Sequence, residues 1–315
     1  MTSTETHLLP ATPAGIADAA ARLGKGQLVA LPTETVYGLG ADARLGEAVA
    51  AIYAAKGRPS FNPLIVHVAT PDAAKRYVDW PKAAERLAAA FWPGPLTLVL
   101  PLRREHGIAS LVTAGLESLA IRCPAHPVAQ ALLTEFDGPV AAPSANPSGK
   151  ISPTTAAHVL QGLNGKVSAV LDGGAAEIGL ESTIVSLTGA PTLLRHGSIT
   201  ADMLAAALGA PLAEATTPAA ITAPGQLASH YAPDAALRLN ATATEAGEAL
   251  LGFGAVSGAT LNLSPAGDLR EAAANLFTML RRLDETASKI AVSPVPETGV
   301  GIAINDRLKR AAAPR

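Results

Sequence analysis

The chain has 315 residues, 49% of them hydrophobic and 16% charged, with a formal charge of -2. That length suits about two domains with buried cores; the balance excludes a disordered chain and gives no whole-protein attraction to nucleic acid or anionic membrane, so any anion site must be local. Cys123 is the single cysteine, which excludes an intrachain disulfide, argues against a zinc cluster and fits a reducing cytoplasm, the expected location.

No apolar run reaches the ~18 residues of a membrane span, and Met1–Thr12 lacks a signal-peptide core. Gln27–Leu31 reads as a strand stopped by Pro32. Gly46–Lys56 reads as a helix with Val49, Ile52 and Tyr53 on one face and Gly57 as its stop. Leu64–Val68 is predicted as a strand, Ala83–Trp92 as a helix, Leu96–Leu102 and Leu119–Cys123 as strands. Val128–Phe136 follows as a helix and Val140–Ala142 as a short strand. Pro153–Leu163 reads as a helix with proline in its first turn, then Val167–Leu171, Thr183–Leu187 and Thr192–Arg195 as strands. Residues 210–223, rich in Ala, Thr and Pro, read as a linker.

Beyond the linker, Leu237–Leu239, Ala249–Phe253 and Thr260–Leu263 read as strands and Leu269–Leu283 as an amphipathic helix. Val300–Arg310 closes the chain as a helix, and Arg307, Lys309 and Arg310 suit the negative end of its dipole. Helices and strands are mixed throughout, so the expected class is α/β.

Two nucleotide fingerprints fail. Gly38-Leu39-Gly40-Ala41-Asp42-Ala43 matches G-x-G-x-x-A, yet it follows a poor strand and has no acidic residue ~20 positions on for a ribose hydroxyl. Ser148-Gly149-Lys150 resembles the end of a P-loop, but Ser144 replaces the first glycine and Ile151 the magnesium-binding hydroxyl.

Other blocks carry more. Leu31–Gly40 places hydroxyls and a carboxylate just after a strand, where α/β folds hold ligands or make hydrogen-bonded turns. Lys56 and Arg58 bracket a helix stop, suited either to phosphate oxygens or to capping that helix. His67 and Arg122 each face away from the apolar residues of their strands. Arg122 therefore needs an anion, either a ligand or an internal carboxylate. Val140–Pro153 runs from a strand into hydroxyls, an amide and a glycine turn, a setting that suits phosphate. Ser182 opens one strand and Arg195 closes the next.

Taken in order, PTETVYGLG, AKGRPSFNPLIVHV, WPGPLT, AIRCPAHP, AAPSANPSG, DGG, GLESTIV and LLRHG resemble the YrdC-like threonylcarbamoyl-adenylate synthases over about residues 13–208. Ala223-Pro-Gly with Ser229-His-Tyr-Ala-Pro233, and the closing helix, resemble the family's longer form. The resemblance implies a twisted open mixed sheet with helices for residues 13–208, a linker or lid over 209–235, and a smaller Rossmann-like α/β domain over 236–315.

It further implies that L-threonine, bicarbonate and ATP become threonylcarbamoyl-AMP and pyrophosphate. The product would serve a separate tRNA threonylcarbamoyl transferase complex, and direct tRNA binding is left open. Mg2+ is expected to arrive with ATP. By resemblance, Lys56, Arg58, Ser60, Thr113, Ser144, Asn146, Ser152, Arg195 and Tyr231 fall to ATP, and Thr33, His67, Arg122, Ala142 and Ser182 to threonine or its carbamate. Lys56 and Arg58 would stabilise charge, and no protein nucleophile is implied. One departure stands out: Gln226-Leu227-Ala228-Ser229 has no basic residue where the family linker usually carries one.

Overall fold

The structure is a computed structural model that describes residues 5–215 and 229–314. The first strands and helices are β1 (His7–Pro10), α1 (Pro13–Gly24), β2 (Val29–Leu31), β3 (Gly38–Asp42), α2 (Gly46–Lys56), β4 (Ile65–His67), α3 (Pro71–Ala74) and α4 (Lys82–Phe91). Then come β5 (Leu96–Pro101), α5 (Ser110–Thr113), β6 (Ser118–Arg122), α6 (Pro127–Phe136), β7 (Val140–Ala141), α7 (Ala156–Leu163) and β8 (Ala169–Asp172). β9 (Thr183–Ser186), β10 (Thr192–Arg195), α8 (Ala201–Leu208) and β11 (Ala213–Glu214) complete the large sheet. It has eleven strands in the order β1-β8-β2-β3-β7-β4-β6-β5-β9-β10-β11, with parallel and antiparallel pairs mixed.

The remaining elements are β12 (Ala236–Arg238), β13 (Ala249–Gly252), β14 (Leu261–Asn262), α9 (Leu269–Asp284), β15 (Lys289–Val292) and α10 (Val300–Ala311). Their four strands form an all-parallel sheet, β12-β15-β13-β14. Among the described residues, no helix is long and apolar enough to cross a membrane.

Local chemistry explains several elements. α2 ends where Gly57 adopts the left-handed conformation, φ 61°, and its N–H returns to the last turn. α9 opens on Asp268, whose carboxylate accepts the N–H groups of Arg270 and Glu271. Leu64, Val66 and Val68 enter the main core on one face of β4, while His67 takes the other face, as alternation predicts. β6 repeats the arrangement, with Leu119, Ile121 and Cys123 in the core and Arg122 opposite.

β1, β3, β11, β15, α1, α3, α5 and α8 lie outside the predicted elements, and β11, paired with β10, falls within residues read as a linker. β3 reads as loop because its sequence, Gly-Leu-Gly-Ala-Asp, has poor strand propensity. It is a strand because β2 and β7 press on it from both sides: a Cβ at position 40 would meet the Leu31 and Val140 side chains at 2.9 and 3.0 Å. This also disposes of the G-x-G-x-x-A fingerprint, whose glycines lie within a strand rather than at a helix start. α7 begins at Ala156, not Pro153, because Thr155 caps it by accepting the His158 N–H.

The two sheets do not own separate cores. Val36, Ile151 and Leu180 belong to the same buried cluster as Leu276, Phe277 and Ile304 of α9 and α10. Polar contacts reinforce the junction: Thr154 Oγ1 and Thr278 Oγ1 are 2.9 Å apart, and Arg281 donates to the Ile151 carbonyl. The Ala223-Pro-Gly motif and Gln226–Ala228 lie outside the described residues; Ser229–Pro233 is described.

Candidate active site

A narrow cleft opens where β3, β4, β6 and β10 end against the segments that follow β7 and precede β9. Sheet order builds it: β7, β4 and β6 are neighbours, so the ends of strands distant in sequence converge.

Thr33, His67, Arg122, Ala142 and Ser182 all line the cleft. Thr33 closes the turn before β3: its hydroxyl donates to the Val36 carbonyl at 2.6 Å and accepts the N–H groups of Thr35 and Val36. Arg122 finds an internal carboxylate, donating to Glu34 Oε1 at 2.6 Å, to Thr35 Oγ1 at 2.8 Å and to the Gly94 carbonyl at 3.1 Å. Burial, then the neighbouring Arg122 charge, lower the His67 pKa to about 3, so its imidazole is neutral near pH 7. His67 Nδ1 is buried with no hydrogen-bond partner among the described residues. Ser182 Oγ lies 2.7 Å from Thr97 Oγ1 and accepts from Arg195 Nη2 at 3.1 Å.

Arg58, Ser144, Arg195 and Tyr231 line it as well. Arg58 donates to the carbonyls of Asn62 and Pro63 at 3.3 and 3.0 Å, and burial lowers its pKa to about 10. Arg195 Nε donates to the Ser182 carbonyl at 3.0 Å. Tyr231 is buried in a left-handed conformation, φ 62°, against His230 at 4.1 Å and Phe277 at 5.5 Å between ring centres.

Lys56, Asn146 and Ser152 stand behind this wall rather than in it. Lys56 Nζ does not cap its own helix; it donates to the carbonyls of Ser144 and Asn146, 2.5 Å each, and so fixes the loop after β7. Burial, then the Arg58 charge, push its pKa well down. Asn146 Nδ2 donates to the carbonyls of Pro147 and Lys150, and Ser152 Oγ donates to Glu181 Oε1 at 2.5 Å. Ser60 and Thr113 are not brought to the cleft. Ser60 is exposed in a separate crevice with Phe61 and Ser110, and Thr113 Oγ1 donates to the Ser110 carbonyl within α5.

Sequence reasoning did not single out Glu34 or Glu181, and it assigned Arg307 to the helix dipole. Arg307 is not a helix-dipole cation at the surface. Its side chain is fully buried and pairs with Glu181 Oε2 at 3.0 Å. Glu181 lines the cleft, and its neighbour Ser182 was the only visible signal for it. Among the described residues, neither Lys56 nor Arg58 has a carboxylate partner: both donate only to neutral carbonyls. Buried cations held this way are costly in isolation and favour an anionic ligand.

Residues 21–197 match the Sua5/YciO/YrdC family, which carries the description "Telomere recombination", and residues 199–313 match the "Threonylcarbamoyl-AMP synthase, C-terminal domain". The chain is 42% identical to a threonylcarbamoyl-AMP synthase of Bacillus subtilis, covering 95% of this chain and 93% of that one. It is 39% identical to the synthase of Pyrococcus abyssi, covering 94% of each. A crystal structure of Pyrococcus abyssi Sua5 complexed with L-threonine superposes with a TM-score of 0.90 at 36% identity, covering 98% of each chain. Escherichia coli YciO, at 21% identity, shares the fold over 62% of this chain with a TM-score of 0.55. The chain belongs to the threonylcarbamoyl-AMP synthase family, in the form that carries the Sua5 C-terminal domain.

Proposed function

We propose that the chain joins L-threonine, bicarbonate and ATP into threonylcarbamoyl-AMP. The observation that carries this reading is a single cleft that brings together Arg58 and Arg195, with Lys56 behind its wall, a neutral His67 and a charge-paired Arg122. A polyanion suits Arg58 and Arg195, and a small zwitterion suits His67 and Arg122. Arg58, Ser144, Arg195 and Tyr231 would meet ATP, with Lys56, Asn146 and Ser152 holding the wall behind them. Thr33, His67, Arg122, Ala142 and Ser182 would surround threonine. Ser60 and Thr113 would reach ATP only after a movement of their loops.

Threonine's amine adds to bicarbonate with loss of water, giving a carbamate. A carbamate oxygen then bonds to the α-phosphorus of ATP as the bond to the bridging oxygen breaks and pyrophosphate leaves. Both reactants are anionic, so fixed positive charge and alignment supply the catalysis, with no protein nucleophile required. Glu34 is engaged by Arg122, and Glu181 by Ser152 and Arg307, so these carboxylates form no protein cage for a divalent cation. Mg2+ is proposed only as the companion of the ATP phosphates.

The single cysteine supports a cytoplasmic setting, and the product would be consumed by a tRNA threonylcarbamoyl transferase complex. The test is release of pyrophosphate from ATP. We expect it to depend on both threonine and bicarbonate. Release with another amine donor alone would indicate a different carbamoyl-adenylate, and salt-sensitive RNA binding without any release would indicate an RNA-binding module.

A further inference from the structure

Arg307 belongs to the last helix and lines no part of the cleft, yet its guanidinium is committed toward it. Nε donates to Glu181 Oε2 at 3.0 Å, Nη2 to the His196 carbonyl at 2.9 Å and Nη1 to Asp306 Oδ2 at 2.7 Å. The guanidinium carbon lies 5.4 Å from the centre of the Tyr231 ring. Glu181 and Tyr231 line the same cleft as Arg58 and Arg195. The second Glu181 oxygen takes the Ser152 hydroxyl, and Ser182, next in the chain, accepts two bonds from Arg195.

A carboxylate on the wall of a polyanion site is unfavourable unless its charge is cancelled. We propose that Arg307 is a positioning residue for ATP: it neutralises Glu181, aims that carboxylate at Ser152 and seats Tyr231, so that the C-terminal helix sets the affinity of a cleft it does not touch. This rests on ATP lying against Arg58 and Arg195 in the cleft. Lysine at 307 could keep the charge but could not span Glu181, the His196 carbonyl and the Tyr231 ring together, because it lacks the planar fork.

The test measures steady-state pyrophosphate release and equilibrium dialysis of Mg·ATP for the full-length wild type, Arg307→Lys, Arg307→Met and the pair Glu181→Gln/Arg307→Met. For Arg307→Met we expect KM and Kd for ATP to rise on the order of 10-fold to 100-fold, as for loss of a bond to a charged group, with KM for threonine changed less than about 3-fold. Arg307→Lys should recover part of the loss. The double variant should recover at least about 5-fold over Arg307→Met, because no uncompensated carboxylate remains.

ATP affinity within about 2-fold of wild type in folded Arg307→Met, equal losses for ATP and threonine, or no recovery in the double variant would each overturn the proposal. If Arg307→Met does not fold, Arg307→Lys decides: a several-fold rise in ATP Kd with threonine unchanged supports it, and wild-type ATP affinity overturns it. Absence of pyrophosphate release from the wild type would defeat the reaction assigned above, whereas dialysis of Mg·ATP would still test Arg307.

Discussion

His67 on β4 and Arg122 on β6 are register partners in neighbouring parallel strands, and both reach the same cleft. Burial, reinforced by the neighbouring cation, keeps that imidazole neutral.

A pH dependence follows. Burial, before any charge effect, lowers the pKa of His67 and of His230 to about 3. Unfolded histidine titrates near 6.5, so the unfolded chain binds the extra protons. This stability is fully present above about pH 6.5 and is lost as pH falls toward about 3. Each histidine contributes about 1.4 kcal/mol per pH unit in that window. Thermal unfolding at pH 7.5, 6.5 and 5.5 should show the decline, and His230→Gln should flatten it. An unchanged slope in that variant would remove His230 from the account.

The Glu34–Arg122 pair is buried on both sides, with side-chain exposures of 7% and 4%. Glu34→Ala should cost about 3–5 kcal/mol by leaving a buried guanidinium without its carboxylate. Urea denaturation reads this directly. A loss under about 1 kcal/mol would mean that water reaches the pair in solution.

Lys56 and Arg58 are the proposed charge stabilisers. Lys56→Met removes the donor shared by the Ser144 and Asn146 carbonyls, and Arg58→Ala removes a cation from the cleft itself. Each should lower threonine-dependent pyrophosphate release on the order of 10-fold to 100-fold. Near-wild-type turnover in both would end their assignment.

Gly179 combines a left-handed backbone with a close approach. Its φ is +70°, and a Cβ there would lie 2.6 Å from the carbonyl oxygens of Ala273 and Ala274 in α9. Gly174 has φ +84° with nothing within 4 Å of the same position. Gly174→Ala should therefore cost only backbone strain, about 1–2 kcal/mol. Gly179→Ala should cost that plus about 1–3 kcal/mol for displacing α9. Equal effects on the unfolding midpoint would show that α9 has room to yield.

Much of the site was legible in the chain. Period-two alternation placed His67 and Arg122 opposite the apolar faces of β4 and β6, and Gly57 marked the end of α2. The ordered blocks brought Thr33, Arg58, Ser144, Ser182 and Arg195 under suspicion together, and all line one cleft. β3 was missed because two glycines obscure a strand that only its neighbours impose. Lys56 was narrowed to phosphate or helix capping, yet it holds the carbonyls of a loop about ninety residues away.

By itself, the sequence determined the α/β class, the strand faces and the family, because these depend on short-range periodicity and on the order of residues along the chain. Only the tertiary structure decided which charges meet. Arg122 finds Glu34 across 88 positions, and Arg307 finds Glu181 across 126. A buried charge must be compensated, but the partner is chosen by where the chain crosses itself, and local pattern carries no record of that crossing.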